Sequence, residues 1–268
     1  MRTNQYEFMR PDEILEAQKE KSIVYLPVGP LEWHGPAMPF GVDPLIAKEN
    51  ADRIAEATGG VVLPTLYAGT ERERKDEVLD AMGFEDPKPY VIGQDFPKNS
   101  LPSFYMREEV FSLVIREYLR ILTVQGYELI VILNGHGAEN QKAVLERLAA
   151  EFSAETNSRV YVAMAVAPID ESSRFEGHGT KSETAQMMFV NEESVDLSML
   201  PPREIKLKNC DWGITGATAY ALKPNEDHTM EEECDPRDAT VDLGRRYFEE
   251  GIKKVIEEVN DLWEKMHL

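Results

Sequence analysis

The sequence predicts a single α/β domain, a mostly parallel sheet layered between helices on both faces. Three observations carry this expectation. Short apolar runs (IVYLPV at 23–28, VVL at 61–63, LIVIL at 129–133 and VYVAMA at 160–165) read as buried strands. Longer amphipathic stretches separate them, which is the alternation of βαβ units. Hydrophobic residues make up 42% of the 268 residues, enough for a substantial core.

The elements follow in order. The first strand ends in Gly29-Pro30, a loop signal. Asp43-Pro44 reads as a helix N-cap with proline at the first helical position. The helix places Leu45, Ile46, Ile54 and Ala55 in an apolar stripe and stops at Gly59-Gly60, and Pro64 closes the second strand. Residues 70–106 are rich in charge, Pro, Gly and aromatics. Such an insert is expected to be a lid, a substrate loop or an oligomer contact. An amphipathic helix is predicted from Glu108 to about Gln125, ended by Gly126. The strand at 129–133 runs into Asn134-Gly135-His136-Gly137, and a helix carrying Val144, Leu145, Leu148 and Ala149 follows. After the strand at 160–165, one long helix is predicted from about Thr240 to Met266.

Composition narrows the function. A net charge of −20 argues against sequence-independent nucleic-acid binding, which needs Lys and Arg on phosphates. It argues equally against docking on anionic lipid. Cys210 and Cys234 form no CxxC pair and no disulfide framework, which suggests a reducing compartment. The first 18 residues lack the apolar core of a signal peptide, and no apolar run approaches the roughly 20 residues a membrane span needs. A cytoplasmic protein with a small-molecule substrate is expected.

The rare residues fall where such a sheet binds ligands, in loops directly after strands. Of five histidines, His34, His136 and His178 lie in glycine-flanked loops. Glu32 and His34 are two apart, so in extended backbone both side chains point the same way. Asp43 lies nine residues on, across a loop with Pro36, Pro39 and Gly41. Gly177-His178-Gly179 leads into Ser182-Glu183-Thr184 at a predicted helix start. Carboxylate and imidazole donors without cysteine suit zinc, manganese or iron(II) at a catalytic site. A water on such an ion has its pKa lowered, toward about 7 on zinc, and can attack a carbonyl. Each residue also has a structural reading: Asp43 as a cap, Glu32 as an arginine partner, Glu183 as a carboxylate at a helix start, and each histidine as a hydrogen-bonded loop group.

LPVGPLEWHGPAMPFGVD resembles the opening signature of the creatininase family (creatinine amidohydrolase-like proteins), a Glu-x-His-Gly followed by Gly-x-Asp. NGHGAEN is similar to the family's Asn-Gly-His-Gly turn, and GHGTKSETAQMM to its third motif, a His-Ala-Gly segment leading into Glu-Thr-Ser. All three occur in family order across most of residues 20–195. The resemblance implies a layered α/β domain with two neighbouring divalent metals at the strand ends. It implies Glu32, His34, Asp43 and His136 as metal ligands, Glu183 as a further carboxylate ligand, and His178 as the catalytic or substrate-contacting histidine. It also implies a homo-oligomer, often a hexamer. The chain departs from the pattern at Trp33, Ala37, Met38, Lys181 and Ala185, and one extra residue in the turn makes Glu139 a competitor of Glu183.

A narrower resemblance, in GTERERKDEVLDAMGF and GQDFPKNSLPSFY, is to an inositol-catabolism branch of the family that opens an oxidised inositol ring. It would make Glu71, Arg72, Arg74 and Tyr105 polyol contacts; the other reading of the insert is a subunit interface. The expected reaction is hydrolytic opening of a cyclic amide, with ring opening of a dehydro-inosose as the alternative. His178 is then expected to act as general acid toward the leaving atom.

Two further motifs offer rival readings. GHGTKS fails as a phosphate-binding loop, because Thr180 stands before Lys181 where Gly is needed. Gly135-x-Gly137-x-x-Asn140 is a partial dinucleotide fingerprint lacking its third glycine, so a nucleotide-binding module is the non-hydrolytic alternative. No GxSxG elbow is present to support a serine hydrolase.

Overall fold

The computed structural model describes residues 3–99, 101–165, 169, 177–215 and 228–268. Its centre is a parallel sheet. β1 (Ile23–Gly29) pairs along one edge with β4 (Leu129–Asn134), and β4 pairs in turn with β5 (Arg159–Met164). Along its other edge β1 takes β2 (Val61–Val62) and then β3 (Leu66–Tyr67). Every pairing is parallel, as the strand–helix alternation requires.

Period-two alternation sends each strand's side chains to two cores. Val24, Leu26, Val28, Ile130 and Ile132 pack with Phe111, Ile115 and Leu119 of α4 (Glu108–Val124) and Val144, Leu145 and Leu148 of α5 (Glu139–Glu155). Ala17 of α1 (Pro11–Glu20) joins that layer. Ile23, Tyr25, Leu129, Val131 and Leu133 face the opposite way. They pack with Ala51, Ile54 and Ala55 of α2 (Val42–Thr58) and with Val255 and Val259 of α9 (Lys253–Met266). Burial on both faces explains why β1 and β4 read as unbroken apolar runs.

Two expectations are corrected. Gly41, not Asp43, occupies the cap position of α2, and Asp43 is that helix's second residue, with its side chain free of capping. The predicted helix at 240–266 is two helices, α8 (Val241–Glu250) and α9, parted at Gly251 and Ile252. They serve different layers. α8 lies on α6 (Lys181–Asn191), with Phe248 packed beside Met187, while α9 covers the sheet. A straight helix cannot bury its stripe against both.

The insert is partly regular. α3 (Asp76–Met82) sits within it, and Glu73 and Val91 form an antiparallel bridge. A short α7 (Asn209–Trp212) lies nearer the C-terminus. No helix among the described residues is long and apolar enough to cross a membrane.

Candidate metal centre

The C-terminal ends of β1 and β4 deliver the site. β1 runs into the loop holding Glu32 and His34, and β4 into the turn holding His136. Asn134 braces that turn: its side-chain nitrogen donates to the His136 carbonyl at 2.7 Å, and its Oδ1 accepts the His136 N–H at 3.2 Å. The first turns of α2 and α6 add Asp43 and Glu183. Gly135 lets the pieces meet, because a Cβ there would overlap the Asp43 backbone carbonyl.

Five of the six expected site residues, Glu32, His34, Asp43, His136 and His178, are buried, and Glu183 keeps 18% of its side chain accessible. His136 Nδ1 lies 3.0 Å from both Glu32 Oε2 and Asp43 Oδ2. His34 Nε2 lies 3.1 Å from Asp43 Oδ1 and 3.6 Å from Glu183 Oε2. Asp43 therefore offers one oxygen to each of two groups, Glu32–Asp43–His136 and His34–Asp43–Glu183. Within each group one donor atom per residue falls within 4.8 Å of the others. Glu32, His34 and His178 form a third such group.

The donors are oriented from behind, as metal ligands are. His34 Nδ1 donates to the Glu32 carbonyl at 3.0 Å, which turns Nε2 toward the carboxylates. The Tyr105 hydroxyl donates to Glu32 Oε1. Tyr105 is held there by the tail of the insert. Asp95 accepts from the Ser103 N–H at 2.9 Å and hydroxyl at 2.7 Å, and Ser103 Oγ accepts the Trp33 N–H at 2.9 Å. Glu183 Oε2 accepts the Gly179 N–H at 2.6 Å.

This donor set fits divalent cations. Three carboxylates converge without a lysine or arginine among their described partners. One Nδ1–H on His136 cannot satisfy both carboxylates that approach it. The Nε2 atoms of His34 and His136 are buried without a hydrogen-bond partner.

Without metal, the histidines carry the compensating charge. Burial opposes protonation of His34, but Asp43 and Glu183 outweigh it and raise its pKa to about 10. Burial likewise opposes protonation of His136, and Glu32 and Asp43 raise it well above the ordinary value. His178 goes the other way: burial, then the charge of His34, lowers it to about 3. Its Nε2 donates to the Trp33 carbonyl, so the neutral ring presents the Nδ1 lone pair, 3.8 Å from Glu32 Oε1. Burial, with Asp43 nearby, holds Glu183 above the usual carboxylate range.

A cavity of about 730 Å³ opens on this cluster. One wall is the cluster itself; Glu71, Arg72 and Gln94 of the insert and Glu139, Asn140 and Lys142 of α5 form the others. Glu139 is exposed on that wall and belongs to none of the three donor groups, whereas Glu183 belongs to one. Of the four insert residues that the narrower resemblance would make polyol contacts, Glu71 and Arg72 line the cavity and Tyr105 bonds Glu32. Arg74 does not line it. Gln94 and Asp95 went unnoticed in the sequence, because their partners lie in other segments and no local spacing marks them. The wall also disfavours the dinucleotide reading. Gly135 packs on α2, and five carboxylates (Glu32, Asp43, Glu71, Glu139, Glu183) face the space a pyrophosphate would need.

Comparison with known proteins agrees with this architecture. The creatinine amidohydrolase of Pseudomonas putida is 27% identical over 124 residues, which is 46% of this chain. That match spans 40% of the relative's length. A structure described as manganese creatininase superposes with a TM-score of 0.66 at 17% identity, covering 98% of this chain and 99% of that one. A structure described as a putative creatinine amidohydrolase from Bacteroides fragilis NCTC 9343 gives 0.59 at 21% identity, covering 99% and 97%. At such identities the likeness bears on the fold alone. The family model for creatininase, described as creatinine amidohydrolase, matches residues 7–259, and the chain belongs to the creatininase family.

Proposed function

We propose that this chain is a metal-dependent amidohydrolase that opens a small polar cyclic amide. The observation that carries the reading is Asp43, placed with Oδ2 beside Glu32 and His136 and Oδ1 beside His34 and Glu183. A carboxylate shared between two donor groups is what two adjacent divalent ions need. Glu32, Asp43 and His136 would hold one ion and His34, Asp43 and Glu183 the other, zinc or manganese by the chemistry of the donors. When bound, such ions polarise a carbonyl and lower the pKa of water.

The chain's own groups do the rest. Tyr105 fixes one oxygen of Glu32 and leaves the other for the ion. His178, neutral and turned by the Trp33 carbonyl, offers a lone pair at Nδ1. The general-acid role expected of it needs a proton at Nδ1 aimed at the leaving nitrogen, and burial and the charge of His34 oppose that proton while the centre holds protonated histidines in place of ions. The insert walls one side of the cavity through Glu71, Arg72 and Gln94. Self-association belongs to this reading, because Val110, Leu113, Ile121 and Val124 leave apolar side chains exposed along α4.

Elemental analysis beside a substrate panel tests the proposal. Wild-type protein should carry zinc or manganese, Glu183→Gln should lose one of two ions, and Asp43→Asn should lose both. Cyclic amides set against oxidised inositols decide the substrate. A wild-type chain that stays metal-free after incubation with Zn²⁺, Mn²⁺ and Fe²⁺ would overturn the hydrolase reading.

A further inference from the structure

The insert wall carries a group that the metal centre leaves unused. Gln94 lines the cavity and is 8% exposed, yet its carboxamide has no hydrogen-bond partner among the described residues. Its polar atoms open on the cavity, where the water that solvates them can be replaced by the polar edge of a ligand.

Its placement is fixed by backbone. The stretches around Glu73 and Val91 form an antiparallel bridge, and the Ile92 N–H donates to the Arg72 carbonyl at 3.1 Å. Gly93 permits the close approach: a Cβ there would run into Glu71 Cγ and the Tyr105 hydroxyl. Ile92 is fully buried, anchoring the ribbon beside Gln94. The remaining insert and α5 groups on this side cancel in charge. Glu71 Oε1 accepts from Arg72 Nε at 3.0 Å, and Glu139 and Lys142 add one charge of each sign. Asn140 adds a second carboxamide, whose Oδ1 is buried without a hydrogen-bond partner. A wall of zero net charge with two carboxamides facing the cavity suits a neutral polar ring better than an ion.

We infer that Gln94 is a specificity-determining residue that pairs edge to edge with the N–H and C=O of a neutral ring amide. A primary carboxamide carries two donors and an acceptor side by side, the complement of a cis amide edge. Vicinal hydroxyls would also satisfy it, but a polyol ring does not require the paired donor and acceptor. This inference rests on the amidohydrolase reading of the cavity.

The test uses the full chain loaded with Mn²⁺, with hydantoin and dihydrouracil as probes, each beside an analogue methylated at the ring amide nitrogen. Gln94→Met keeps the length and removes the polar edge; Gln94→Glu keeps an acceptor and removes the donors. Metal content and melting temperature should match wild type in both. For the amide that wild type turns over, KM should rise about tenfold or more in Gln94→Met with a smaller change in kcat, the effect of an unpaired polar edge. N-methylation should weaken binding to wild type, measured by calorimetry, and leave Gln94→Met unaffected. If wild type is active but both variants keep its KM and its sensitivity to methylation, the Gln94 assignment fails while the hydrolase reading stands. If metal-loaded wild type acts on no cyclic amide, the underlying reading fails and the assignment with it.

Discussion

Glu32 meets four groups at once: the Tyr105 hydroxyl and His178 on one oxygen, and His136 and His34 on the other. Burial pushes its pKa up, and the charge of His136 is the largest effect against it; the net direction is down, so the carboxylate stays ionised. Tyr105 is the one neutral donor in this set, and burial with Glu32 close by holds its own pKa well above the ordinary value. Tyr105→Phe removes that donor with almost no change in volume. Metal affinity is expected to fall by about 10- to 100-fold, the usual effect of losing a hydrogen bond behind a ligand. Competition with a chelator measures it, and unchanged affinity would show that Glu32 needs no orienting partner. The residues of the candidate metal centre were readable in the sequence because strand ends are where this fold binds, and each stands within a few residues of a strand or helix start. Tyr105 was singled out only as a substrate contact. Its bond to Glu32 spans 73 residues of chain, and nothing in local spacing encodes it.

Close backbone approaches decide how the elements meet. α8 crosses α6 at Gly244, where a Cβ would overlap the Ala185 carbonyl and crowd Phe189 Cβ. Backbone cannot step aside as a flexible side chain can, so Gly244→Ala is expected to cost about 1–3 kcal/mol in urea denaturation. α6 also carries Glu183, and the strain should therefore weaken the ion shared by His34 and Glu183 more than the other. Equal loss at both sites would separate α6 from the centre. Gly135 plays the parallel part between β4 and α2. Gly135→Ala is expected to part Asp43 from His136 and abolish metal binding at a modest loss of stability; retained metal in elemental analysis would count against it. The sequence pattern was sufficient for β1, β4, α4 and α5, whose apolar periods are strong. It failed at the start of α2 and at the break between α8 and α9. In the first, Asp43-Pro44 satisfied the capping rule while the chain needed that carboxylate elsewhere. In the second, amphipathic pattern continued across Gly251 although the two halves face different layers.

Taken over the whole molecule, the centre couples stability to pH, and the sign follows from two groups. His34 has its pKa raised from 6.5 to about 10 by the surrounding carboxylates, so above pH 6.5 the folded apo chain holds a proton that the unfolded chain has released. Its contribution is fully present below pH 6.5 and is lost as pH rises toward about 10. His178 is lowered to about 3, so its contribution is present above pH 6.5 and lost as pH falls through about 3. The apo chain should therefore lose stability on the alkaline side of neutrality. Divalent ions take the place of the protons on His34 and His136, so loading must release them, and affinity must rise with pH. At a free metal concentration of about 100 Kd, binding adds about 2.7 kcal/mol. The melting temperature of metal-free protein should accordingly fall between pH 7 and 9, whereas that of protein in excess Mn²⁺ should hold or rise, and the gap should widen with pH. Calorimetry in buffers of different ionisation enthalpy counts the released protons directly. In Asp43→Asn the gap should close, because neither ion is held and His34 loses its nearest carboxylate. A gap that stays constant with pH, or proton release near zero, would mean that the histidines of the apo centre are not the protonated pair that this arrangement of carboxylates requires.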